Sequence, residues 1–145
     1  MNSIDEVISD LKKLEARRAA LTNIPEQIQI LEDAYTALRA AKTDGDPVSG
    51  GTNNRENILI DNIDKRTILK KNYEIIKAEV EFLERNLNAL PKNEKLVLTR
   101  FFINREKYAA DRLTEELGYE QAQIYRIRDA ALRNLAIRIY GVVEI

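Results

Sequence analysis

The chain has 145 residues, room for one compact domain or two small subdomains and little room for an elaborate substrate pocket. Hydrophobic residues make up 44% and charged residues 32%, with 5 Gly and 3 Pro, a composition that points to a folded, helix-rich protein. Cysteine and histidine are both absent, which excludes disulfides, thiol nucleophiles, the usual zinc sites and imidazole acid–base chemistry, while 23 basic against 24 acidic residues leave only local charge informative.

Ile4, Val7, Ile8, Leu11, Leu14 and Leu21 fall on one helical stripe, so an amphipathic helix is expected from about Ile4 to Thr22. Asn23 can cap and Pro25 can occupy a first turn. Ile28, Leu31, Tyr35 and Leu38 then recur at helical spacing, predicting a break or kink at Asn23–Pro25 and a second helix to about Lys42. The stretch Thr43–Asn57 holds three of the five glycines and one proline with almost nothing apolar, and reads as a flexible loop. No Gly-Lys-Ser/Thr follows those glycines and no strand precedes them, so the loop is expected to be a connector rather than a phosphate cradle.

Leu69, Tyr73, Ile76, Val80, Leu83, Leu87 and Leu90 follow at alternating spacings of four and three, a heptad seam. Ile60, Ile63 and Thr67 extend a narrower stripe upstream, so this helix is expected to start near Asn57 and to end by Pro91. A seam of that kind needs a partner helix, either the N-terminal helices of the same chain or the seam of a second copy. Its length favours a homo-oligomer, a dimer first.

Beyond Pro91 the pattern shortens. Leu96, Val97, Phe101 and Phe102 mark one helix, Ala109, Leu113 and Leu117 a second, and Ile124, Ile127, Ala131, Leu135 and Ile139 a third, from about Glu120 to Tyr140. Gly118 and Gly141 sit where left-handed helix caps are expected. Two helices joined by a tight glycine turn form a helix-turn-helix, with Leu113, Leu117, Tyr119, Ile124 and Ile127 at its core positions. Thr114 stands where such motifs usually carry a smaller residue. The expected architecture is therefore all-α: a helical coiled-coil region over residues 1–90 and a helix-turn-helix domain over 91–145.

Centring the buried face of the third helix on Ile124 turns Ala122, Arg126, Asp129 and Arg133 to the opposite side, flanked by Gln123 and Tyr125, with Gln121 near the boundary. These residue types suit a major groove: Gln pairs with an adenine edge, Arg with guanine, and Ala leaves room for a thymine methyl. Residues 91–145 carry 10 basic and 8 acidic groups against 13 and 16 for residues 1–90, so the C-terminal part is the better match for phosphate. The candidate DNA-binding residues are Gln121, Ala122, Gln123, Tyr125, Arg126 and Arg133, with Arg100, Arg105, Lys107, Arg112, Arg128 and Arg138 as further phosphate candidates unless acidic neighbours engage them. Tyr108, one residue before Ala109, is expected to be partly core.

The segment LTEELGYEQAQIYRIRDAALRNL resembles region 4 of bacterial sigma factors, although Gln121, Ala122 and Gln123 replace the charged start of a sigma recognition helix, so promoter recognition does not carry over. A wider resemblance, resting on the loop DPVSGG with its Asn-Asn-Arg continuation, the heptad helix and the ending IYRIRDAALRNLAIRIYG, is to the ArpU/RinA group of late transcriptional regulators from phages of Gram-positive bacteria. That resemblance implies a double-stranded DNA-binding activator of late phage genes, working in the bacterial cytoplasm. The alternatives are a small terminase-type packaging protein or a module that binds RNA polymerase without touching DNA. No catalytic or cofactor constellation is present in the sequence, and no apolar run exceeds three residues, so neither an enzyme nor a membrane protein is expected.

Overall fold

The computed structural model describes residues 2–41 and 49–143, the side chains of 49–53 excepted. It is all-helical, with no strand among the described residues: α1 (Ser3–Ala40), α2 (Ser49–Asn88), α3 (Lys92–Leu98), a π-helical turn (Thr99–Ile103), α4 (Ala109–Leu117) and α5 (Gln121–Tyr140). No helix among the described residues is long and apolar enough to cross a membrane.

Two boundaries differ from those expected. The first concerns α1, which runs unbroken through Pro25. A proline inside a helix forfeits one backbone hydrogen bond and costs about 3 kcal/mol. Leu21, Ile24, Ile28, Leu31, Tyr35 and Leu38, at spacings of 3, 4, 3, 4 and 3, are all half-buried and carry one packing stripe across the proline, while Pro25 itself faces outward. The second concerns α2, which begins at Ser49, so 49–57 of the expected loop are helical; 43–48 lie outside the described residues. Arg55 gives the early start a purpose, since its Nη2 donates to the carbonyls of Leu38 and Arg39 at the end of α1.

The packing divides the chain into two compact units, Met1–Arg18 with Glu79–Ile145, and Ala19–Ala78, rather than at Leu90. The first unit holds every buried hydrophobic side chain among the described residues: Val7, Leu11 and Leu14 from α1, Val80, Leu83, Leu87 and Leu90 from the end of α2 and its following turn, and Val97, Leu98, Leu113, Ile124 and Leu135 among those from the C-terminal helices. Val80, Leu83 and Leu87 retain 4%, 4% and 2% of their surface, so this half of the heptad seam is buried within one chain, and its length no longer argues for a second copy. Ion pairs Arg17–Glu79 and Arg18–Glu84 tie α1 to α2 beside it.

The second unit is a two-helix hairpin. Its seam on α2 continues backward from Leu69 not through Ile60, Ile63 and Thr67, which are exposed, but through Arg66, Asn62, Leu59 and Arg55. These polar seam residues are satisfied in place: Asn62 Nδ2 donates to the Leu31 carbonyl at 2.8 Å, Arg66 Nε donates to Asn62 Oδ1 at 2.8 Å, and the Arg66 guanidinium lies 4.9 Å from the centre of the Tyr35 ring.

Candidate nucleic-acid interface

The C-terminal helices are built around Val97, Ala110, Leu113 and Ile124, with Leu96, Phe101, Leu117 and Ile127 packed against them. α3 ends in a π-helical turn closed by the Asn104 N–H donating to the Thr99 carbonyl at 2.8 Å, which splits the single helix expected there. α4 starts after Tyr108, whose φ of 63° and ψ of 38° place a bulky residue in the left-handed region, and Tyr108 stays 66% exposed instead of joining the core.

The turn into α5 is as the spacing predicts. Gly118 adopts φ 74° and its N–H donates to the Thr114 carbonyl at 2.9 Å, closing α4. A side chain at Gly118 would meet nothing within 4 Å, so glycine is favoured there by backbone conformation alone. Tyr119, expected in the core, remains 39% exposed, because the left-handed glycine turns the chain outward before α5 begins. Glu120 caps α5 through its carbonyl, which accepts from the N–H groups of Gln123 and Ile124. Gly141 at φ 79° ends the helix, and Asn134 Nδ2 donates to Glu94 Oε1 at 2.7 Å, fastening α5 to α3.

With Ile124, Ala131, Leu132, Leu135 and Ala136 buried, the polar residues of α5 fall on the open side. Gln121, Ala122 and Arg126 at its start and Arg133 further along are exposed, Tyr125 is 37% exposed and Gln123 is half-buried. These residues share one helix, but they are not equally free. The Tyr125 ring meets Phe101 edge-on with centroids 5.9 Å apart, and the Arg128 guanidinium lies over it at 4.8 Å, so Tyr125 doubles as packing. Gln121 Nε2 donates to Asp111 Oδ1, and Arg126 Nη1 donates to Gln123 Oε1, each at 3.3 Å.

The phosphate candidates separate by partner. Arg100 is gripped by Glu116 through both terminal nitrogens and by Glu106, and its pKa is held above the ordinary arginine value chiefly by the hydrogen bond to Glu116, so it serves the fold. Arg128 pairs with Asp129 while stacking on Phe101 and Tyr125. Arg112 is paired with Glu106 only loosely, at 3.9 Å. Arg126 and Arg133 form no ion pair among the described residues, and neither do Arg105, Lys107 and Arg138. Of the described acidic groups in this segment only Glu94 and Glu106 are half-buried, and on the outer side of α5 the unpaired Arg126 and Arg133 stand beside Asp129, whose charge is engaged by Arg128.

Residue patterns did not indicate Asp111 or Phe101 as parts of this site. Phe101 was visible as an apolar position, but its contact with Tyr125 depends on the π-helical turn. Asp111 reads in the sequence only as one of the acidic neighbours available to the arginines of this segment.

No family model matches the chain, and no curated protein or solved structure matches it either.

Proposed function

We propose that the chain is a sequence-specific double-stranded DNA-binding regulator of transcription that reads its site with the first turns of α5. The observation that carries this reading is the α4–Gly118–α5 arrangement, in which Leu113 and Ile124 are fully buried and Gln121, Ala122 and Arg126 are left open at the start of the second helix. Gln121, Gln123 and Arg126 would approach base edges, Tyr125 a base or phosphate, and Arg133 the backbone. The resemblance to ArpU/RinA regulators extends the reading to activation of late phage genes in the bacterial cytoplasm, by binding rather than catalysis, with host RNA polymerase as a further partner. A homodimer on a two-fold site completes the proposal, its interface to be sought outside the buried seam.

Selection from random duplexes, followed by fluorescence titration at several salt concentrations, tests it. Arg126→Ala should cost about 1–3 kcal/mol on the selected site and relax one base position. Arg133→Ala should weaken all sequences alike and flatten the salt slope by about one unit. If replacing Gln121, Gln123 and Arg126 together by alanine leaves selective binding intact at unchanged helix content, α5 does not read DNA.

A further inference from the structure

The two side-chain hydrogen bonds at the start of α5 divide its hydrogen-bonding groups. A carboxylate only accepts, so Asp111 holds the nitrogen end of the Gln121 amide and leaves its carbonyl oxygen and second N–H available. Gln123 is turned the opposite way, because its Oε1 accepts from Arg126 Nη1 and its amide nitrogen is the end left over. The helix therefore opens with an acceptor-bearing amide at Gln121, followed by a group at Gln123 and Arg126 that has donors to offer.

We infer that Asp111, on α4, is a positioning residue that sets base preference through Gln121. Resting on the DNA-reading role of α5, this makes Gln121 select a base with an exocyclic amino group, adenine or cytosine, while Gln123 and Arg126 select an acceptor-rich edge, that of guanine. Geometry favours a fixed arrangement, since Leu113 and Ile124, two and three residues along from Asp111 and Gln121, are 0% exposed and lock the two helices at the point where the pair forms. Asp111 brings a negative charge to a segment proposed to meet phosphates.

Asp111→Asn separates this role from an ordinary first-turn acid. The asparagine amide can present oxygen or nitrogen, so Gln121 is no longer held in one orientation, while the shape is kept. In binding-site selection with the full chain, the variant should lose about tenfold preference at one base position, the one also lost in Gln121→Ala, and keep the others. Its affinity for scrambled duplex should rise, because a negative charge has gone. The double variant Asp111→Asn with Gln121→Ala should lose no further preference. A selection profile identical to wild type in Asp111→Asn, with affinity altered equally on every sequence, overturns the inference and leaves the DNA-reading role standing. Wild-type protein that selects no sequence at all overturns both.

Discussion

The same two helices, α1 and α2, enter both compact units with the same heptad spacing, yet they are buried to different degrees. In the unit formed by Met1–Arg18 and Glu79–Ile145, Val7, Leu11 and Leu14 are fully buried and Val80, Leu83 and Leu87 nearly so. In Ala19–Ala78 the one buried side chain among the described residues is Asn62, and Leu31, Leu38, Leu69 and Ile76 are only half-buried. Two helices alone cannot enclose a seam. Full burial needs further elements, supplied in the first unit by α3, α4 and α5, whereas the hairpin relies on specific polar contacts.

Core truncation should separate the units most. Leu113→Ala or Leu135→Ala should cost about 3–4 kcal/mol, against about 1 kcal/mol for Leu69→Ala, as denaturant unfolding would measure; equal losses would erase the contrast. The polar seam comes next. Asn62→Ala leaves the Leu31 carbonyl and Arg66 without their partner and should cost about 1–2 kcal/mol, and amide exchange should show the loss concentrated in residues 19–78. Gly118→Ala forces a Cβ into the left-handed region without a clash and should cost about 1 kcal/mol, with the loss in the first unit.

The smallest effect is at high pH. Tyr140 in the first unit has its pKa raised from 10.0 to about 12, first by desolvation, then by the hydrogen bond to Glu6 and the charges of Asp10 and Glu6. Because the folded value lies above the unfolded one, the stabilisation is complete below pH 10 and lost as pH rises towards about 12. The residue is 40% exposed, so the loss should be modest, and Tyr140→Phe should remove it. Absorbance titration should show a late-ionising tyrosine that is missing from Tyr140→Phe, and a wild-type stability profile that matches Tyr140→Phe above pH 10 would refute the assignment.

Where a boundary depended on local chemistry, the sequence was readable. Gly118 and Gly141 end α4 and α5 because the left-handed cap favours glycine, and Pro91 stops α2 because the residue before a proline resists helix. Ile124 marks the buried face of α5; Ala122, Arg126 and Arg133 are exposed opposite it, and Gln121 is exposed near its boundary. Reading failed where tertiary partners outweighed composition. Pro25 does not break α1 because the half-buried stripe continues on both sides of it, and the glycines after Ser49 are helical ahead of a hairpin that Arg55 fastens. Ile60 and Ile63 looked like seam residues on hydropathy alone, while Asn62 and Arg66, which occupy the seam, are acceptable there only because each has a partner across it. Exposure of Tyr108 follows from its own left-handed backbone, which its residue type does not suggest, while Tyr119 is exposed although the left-handed Gly118 before it is legible in the sequence.

The π-helical turn at Thr99–Ile103 bears on how this segment tolerates change. Such a turn accommodates one residue more than an α-helical turn, and here it closes the helix, since Asn104 leaves helical geometry. Within it two side chains have separate duties: Phe101 meets Tyr125 of α5, while Ile103 is buried. A one-residue deletion here would let the helix relax to ordinary winding with its backbone bonds intact and would still turn Phe101 away from α5. Length in this short stretch thus bears on the Phe101–Tyr125 contact, and a homologue lacking one residue between Thr99 and Ile103 would be expected to present Tyr125 differently.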